Sequence, residues 1–160
     1  MMLRTEELQE QILKDTRIFH FGTLSMTDEP VRSATRHAIE TAKANGAMLS
    51  FDPNIREPLW QSMEEAKRQT AYGMEVCDVL KISDNEIWWF TGEEDFDRGV
   101  DKLWREYHIP LMLLSMGTGG SRAYCSSRRA EQPAFLQEST IETTGAGDTF
   151  GAHFVPEKSI

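Results

Sequence analysis

Cysteine is scarce in this chain. Its two residues, Cys77 and Cys125, lie far apart and form neither a CxxC pair nor a zinc-like cluster. They are expected to be reduced, buried thiols. The four histidines, His20, His37, His108 and His153, show no HExxH or HxxH spacing, which argues against a histidine metal site. Positive charge is short: Lys plus Arg is 17 against 26 Asp plus Glu, a net charge of −9. Neither a nucleic-acid backbone nor an anionic membrane is expected as the main partner. A phosphate ligand stays open, because backbone N–H groups at a helix start hold anions without net positive charge. No apolar run is long enough to span a bilayer, and Met1-Met2-Leu3-Arg4 runs into Glu6 and Glu7 without a signal-like apolar stretch. A cytoplasmic location is therefore expected. Internal repeats, low-complexity linkers, a Walker A loop and a GxGxxG fingerprint are also missing. What is present is a 160-residue chain with 39% hydrophobic residues, enough for one globular domain with a real core.

Short apolar runs alternate with amphipathic stretches. Thr5 is expected to cap a helix beginning at Glu6 and Glu7. Ile18 to Gly22 reads as a strand, and Asp28-Glu29-Pro30 as the start of a helix that ends at Asn45-Gly46. Met48 to Phe51 is the next strand, broken by Asp52-Pro53-Asn54, with a helix from about Pro58 to Gly73. Val79 to Ile82 is a third strand, after which Asp84 caps a short helix to Phe90. Val100, Leu103, Trp104 and Tyr107 mark another helix, and Leu111 to Ser115 the most apolar strand. Weaker strands are expected around Arg122–Cys125 and Pro133–Leu136, and a final helix after Thr143-Thr144. Repeated strand–helix–strand units predict an α/β protein with a mostly parallel sheet, whose ligands bind outside the carboxyl ends of the strands.

The chemistry-bearing segments all fall at those ends. Gly145-Ala146-Gly147-Asp148 offers small residues for close backbone approach, free N–H groups at a helix start, and a carboxylate in the first turn. A carboxylate beside a phosphate suits a proton acceptor in phosphoryl transfer, but an ordinary first-turn acid explains Asp148 equally well on composition. Gly117-Thr118-Gly119-Gly120 is either a nucleotide cradle or a tight hairpin. Arg56, in Asp52-Pro53-Asn54-Ile55-Arg56, is either a phosphate or sugar clamp or an exposed arginine beside an Asx-type turn. Glu86 can hold hydrated Mg²⁺ or serve as a first-turn acid. Trp60, Trp88, Trp89 and Trp104 read as core or interface residues.

Four segments then occur in a telling order: Phe19-His20-Phe21-Gly22, Phe51-Asp52-Pro53-Asn54-Ile55-Arg56, Lys81-Ile82-Ser83-Asp84-Asn85-Glu86 and Thr143-Thr144-Gly145-Ala146-Gly147-Asp148-Thr149-Phe150. Together they resemble the ribokinase-like, or phosphofructokinase B, sugar kinases, in wording nearest to bacterial fructokinases. The resemblance runs to about Val155 and implies a partial three-layer α/β/α ribokinase-like (Rossmann-like) fold. It implies that Asp148 takes the proton from a sugar hydroxyl, and that Gly145, Ala146 and Gly147 form the anion hole for the transferring phosphoryl group. Asn54, Arg56 and Thr144 would lie at the sugar and phosphates. Ser115, Gly117 and Gly120 would serve the nucleotide, and Glu86 would organise Mg²⁺. ATP is the implied co-substrate, a sugar the substrate, and a monovalent cation a further ligand.

Three departures stand against the pattern. Ser83 replaces the usual Asn of the Asn-x-x-Glu motif, and Glu142 the usual Asp of the monovalent-cation site. The N-terminal sugar pocket and lid and the C-terminal closure of the adenine pocket have no counterpart. The expected organisation is a partial kinase domain over residues 1–155 and a divergent tail over 156–160, since Pro156 interrupts the last helix. The leading reading is a fragment of a fructokinase-like kinase, inactive by itself and prone to self-association or homo-oligomer formation through exposed edges. The alternatives are a non-catalytic nucleotide-binding remnant, or a kinase of the same family acting on ribose or 2-keto-3-deoxygluconate.

Overall fold

The computed structural model describes residues 2–125, 128–135 and 145–154. Among these residues six strands form one sheet in sequential order: β1 (Ile18–Gly22), β2 (Met48–Asp52), β3 (Val79–Ser83), β4 (Leu111–Ser115), β5 (Ser121–Cys125) and β6 (Arg128–Gln132). β1 to β4 pair in parallel, and β5 and β6 are added antiparallel. The helices are α1 (Glu10–Asp15), α2 (Val31–Ala44), α3 (Met63–Val76), α4 (Asp84–Thr91), α5 (Phe96–Tyr107) and α6 (Ala146–Phe154).

Side chains of a strand alternate between faces, so each strand supplies two rows. Phe21, Phe51, Leu80 and Met112 lie in register across one face. They form the core with Ile39 and Ala42 of α2, Ala66 and Met74 of α3, Ile87 of α4, and Val100 and Leu103 of α5. The Phe21 and Phe51 rings stack with centroids 4.9 Å apart, so the parallel register is fixed by fitted aromatic packing as well as by the ladder. Gly22, Asp52, Lys81 and Leu113 point the other way. α6 lies on that side, because the backbone of Gly147 abuts the Lys81 ammonium and α6 touches β4. Helices therefore lie on both faces of the mostly parallel sheet, which is the partial three-layer α/β/α arrangement that the resemblance implies.

Several local expectations are corrected. The N-terminal helix does not start at Glu6. Thr5–Glu7 is a 3₁₀ turn after Arg4, and the extended backbone of Leu8 separates it from α1. Pro58 belongs to a 3₁₀ turn, Glu57–Leu59, and α3 starts only after Ser62, whose hydroxyl accepts from Glu65 N at 3.1 Å. The same helix runs through Gly73 to Val76. A Cβ on Gly73 would stand 2.3–2.6 Å from the Phe51 ring, so this glycine lets α3 settle onto the sheet instead of ending the helix. Ser83, not Asp84, caps α4. The last strand among the described residues is Arg128–Gln132, and it stops before Pro133, which has no N–H for the ladder. Leu136 and the tail 156–160 lie outside the described residues.

Candidate active site

The loop after β2 is held from two directions. Thr23, in a 3₁₀ turn after β1, donates both its backbone N–H and its hydroxyl to Pro53 O. From α4, Glu86 Oε1 accepts the Ile55 N–H at 3.1 Å. Asn54 sits between these two pins in the left-handed region, with φ of 45°. That conformation suits Asn, whose short polar side chain tolerates it. Asn54 thereby lines a cavity of about 470 Å³ together with His20, Asp52 and Asp148. Arg56 is not brought there. It is exposed, and its Nη1 turns back onto Ile55 O at 3.2 Å.

Glu86 has a structural task that its motif position did not reveal. Its Oε2 accepts the Ser83 N–H at 3.0 Å and the Ser83 hydroxyl at 2.8 Å, and the Ser83 Oγ accepts back from Glu86 N at 3.4 Å. This capping box joins the end of β3 to the start of α4. A carboxylate has about four acceptor positions. Three are in use, which leaves room for a water-mediated cation contact but not for a chelating one. The described residues contain no group of three or more His, Cys, Asp or Glu arranged to ligate a metal directly. A hydrated Mg²⁺ held largely by phosphate oxygens fits this donor set, since that ion keeps several waters.

Asp148 is exposed in the first turn of α6, and Thr149 N closes the first helical bond to Gly145 O at 2.9 Å. The N–H groups that precede it have no intrahelical acceptor. Gly145 has φ of 77° and open space around its Cα, so the chain turns sharply into the helix and leaves its backbone approachable. Thr144, with Thr143 and Glu142, lies outside the described residues.

On the nucleotide side, Gly117–Gly119 forms a 3₁₀ turn that closes the β4–β5 hairpin through Met116 N to Gly120 O at 2.9 Å. Gly120 is glycine for packing: a Cβ would meet Gln132 O at 2.2 Å, and its φ is 91°. Gly117, with φ of 52° and no neighbour within 4 Å, is free to approach a ligand. Ser115 is half-buried at the end of β4, in register with Ser83 and Ser121.

Sequence reasoning passed over one pair. Lys81 Nζ lies 2.9 Å from Asp52 Oδ2, and both residues are buried. Burial pushes the Asp52 carboxyl above its ordinary range more strongly than the Lys81 charge pulls it down. The signal was a lysine inside the apolar run Val79-Leu80-Lys81-Ile82, which demands a buried partner. On the same face, His20 Nδ1 bonds Ser50 Oγ at 3.1 Å.

The model for the pfkB family of carbohydrate kinases matches residues 1–156. The chain belongs to this family. Fructokinase-1 of Zea mays is 39% identical over 151 residues, covering 94% of this chain and 46% of the relative. Fructokinase-2 of Solanum lycopersicum is 38% identical, with 94% and 45% covered. The chain thus spans about half the length of the relatives it matches. Among solved structures, the fructokinase of Vibrio cholerae O395 with bound fructose, ADP and calcium ion aligns with a TM-score of 0.82 at 26% identity, over 92% of this chain and 46% of that one. The ATP-bound fructokinase of Xylella fastidiosa gives 0.70 at 30% identity, over 82% and 42%. The pfkB chain described here therefore carries the ribokinase-like fold.

Proposed function

We propose that this chain holds the phosphoryl-transfer part of an ATP-dependent, fructokinase-like sugar kinase. The observation that carries the reading is the meeting of Asp148, in the first turn of a glycine-led helix, with Asn54 and Asp52 on one cavity at the carboxyl ends of the strands. In this reading the sugar hydroxyl oxygen attacks the γ-phosphorus of ATP, its proton passes to the Asp148 carboxylate, and ADP leaves. The N–H groups of Gly145, Ala146 and Gly147 face the charge that gathers on the phosphoryl oxygens. Asn54, set by its two pins, orients the sugar or a phosphate oxygen. Gly117 admits the nucleotide phosphates. Glu86 would hold Mg²⁺ through water, and that ion would supply neutralisation of phosphate charge. Fructose is favoured over ribose and 2-keto-3-deoxygluconate by the fructokinase relatives.

Because positioning and water exclusion dominate phosphoryl transfer, the chain alone should show no sugar-dependent ADP release. Supplying the complementary regions from the maize relative should restore it, and Asp148→Asn in that restored enzyme should lower kcat by ~10²–10⁴-fold. Nucleotide affinity should survive, since backbone groups hold the phosphates. A kcat within a few-fold of the parent would remove Asp148 from the role of base.

A further inference from the structure

Lys81 is the odd member of β3. It is buried beside Val79, Leu80 and Ile82, and its ammonium binds Asp52 Oδ2 at 2.9 Å. Asp52 is 4% exposed, and its second oxygen, Oδ1, is buried without a hydrogen-bond partner among the described residues. The same Asp52 lines the cavity that Asp148 lines. A buried ion pair is weak evidence for stability, because desolvation offsets most of its attraction. An unsatisfied oxygen on such a pair adds a further cost. The fold therefore gains little from Lys81 and Asp52 as a pair, and the contact left to explain is that of the Lys81 ammonium with α6.

Gly147 shows where the ammonium sits. A Cβ there would stand 2.9 Å from Lys81 Nζ and 3.4 Å from Cε. The cation is thus pressed against Gly147, the second residue of α6. Around it the electrostatics are unfriendly to an anion: Asp52 feels Glu86 as a like charge, and Asp148 adds a third carboxylate to the cavity. A helix N-terminus offers only about half an elementary charge in return.

We infer that Lys81 is a positioning residue of the α6 anion site: held by Asp52, its ammonium seats Gly147 at the start of α6 and turns the positive end of the ion pair towards the turn that would receive a phosphate group. This inference rests on the phosphoryl-transfer reading above and deepens it. The absence of a side chain at Gly147 follows as well, since a methyl group would push the ammonium away from both Asp52 and the turn.

The test is calorimetric titration of the chain with inorganic tripolyphosphate in EDTA at low salt, with the amide shifts of Gly145 and Gly147 locating the anion. The informative variant is Lys81→Gln/Asp52→Asn, which replaces the ion pair by a neutral amide pair and leaves no buried charge uncompensated. It should keep the parent's circular dichroism and melting temperature within a few degrees, yet bind tripolyphosphate at least about tenfold more weakly. If Lys81 serves only to neutralise Asp52, the double variant binds as tightly as the parent, and the inference is overturned while the phosphoryl-transfer reading stands. A folded parent chain that binds no tripolyphosphate at the α6 amides overturns both. Lys81→Gln alone leaves Asp52 unpaired; should it fail to fold, the double variant still decides.

Discussion

Replacing Glu86 by Gln changes one atom and removes one charge, and the structure assigns it a definite cost. The Glu86 carboxylate accepts from Ser83 N at 3.0 Å and Ser83 Oγ at 2.8 Å through Oε2, and from Ile55 N at 3.1 Å through Oε1. A glutamine has a single acceptor oxygen. Whichever way its amide turns, its NH₂ group faces a backbone N–H, and one donor loses its partner. A buried donor left unsatisfied costs ~1–3 kcal/mol. Because Glu86 is only half-buried, water reaches part of the site, and the lower half of that range applies. Loss of a carboxylate at the start of α4 adds ~0.3–1 kcal/mol. The sum is about 2 kcal/mol, read by urea unfolding followed by circular dichroism. It corresponds to a fall in Tm of about 4–8 °C for a chain of this size. Amide exchange should locate the defect: the Ile55 N–H, or that of Ser83, should lose protection while core amides such as Leu80 keep theirs relative to global stability. A Glu86→Gln chain within 0.5 kcal/mol of the parent, with Ile55 and Ser83 both protected, would show that the two-sided acceptor role is wrong.

Gly73→Ala places a methyl group within 2.6 Å of the Phe51 ring and should destabilise by ~1–3 kcal/mol through overpacking, despite the better helix propensity of alanine; a urea midpoint equal to the parent's would refute the contact. Cys77 is buried and its thiol is pushed up to about 12, so at pH 8 an aromatic disulfide reagent should label Cys125 and leave Cys77 untouched until the chain unfolds. The same shift has a sign for stability. The folded chain keeps the Cys77 proton in a range where the unfolded chain has lost it, so stability is full below about pH 9 and falls as pH rises towards 12; burial of Tyr72 and Tyr107 acts in the same direction, and a stability flat over that range would contradict it. β1 is an edge strand of this sheet and Ile18 is exposed on it, so light scattering should find self-association that rises with concentration, and a monomer at high concentration would count against it.

The fold class was legible because it depends on local period. Val79 to Ile82 and Leu111 to Ser115 read as buried strands, and the Gly145-to-Asp148 helix start needed only the chemistry of four adjacent residues. Errors arose where two local signals competed. Ser83 and Asp84 are both good caps, and Ser83 prevails because Glu86 lies three residues beyond it and returns the bond. Gly73 looked like a helix stop because glycine usually is one; the Phe51 ring from another strand supplied a different reason for it.

By itself, then, the sequence determined the alternation of strands and helices and the motif residues that place the chain among the pfkB kinases. Those properties follow from neighbours one to four residues apart, within reach of side-chain chemistry and backbone sterics. Only the tertiary structure decided that Asn54 faces the cavity while Arg56 turns away, because that depends on Glu86 and Thr23 gripping one loop from two elements. Only the pairing of β2 with β3 could set Lys81 against Asp52, 29 positions away in sequence, and only the return of α6 to the far side of the sheet could press Gly147 onto that ammonium. A charge buried in a strand announces that it needs a partner, but register chooses which one.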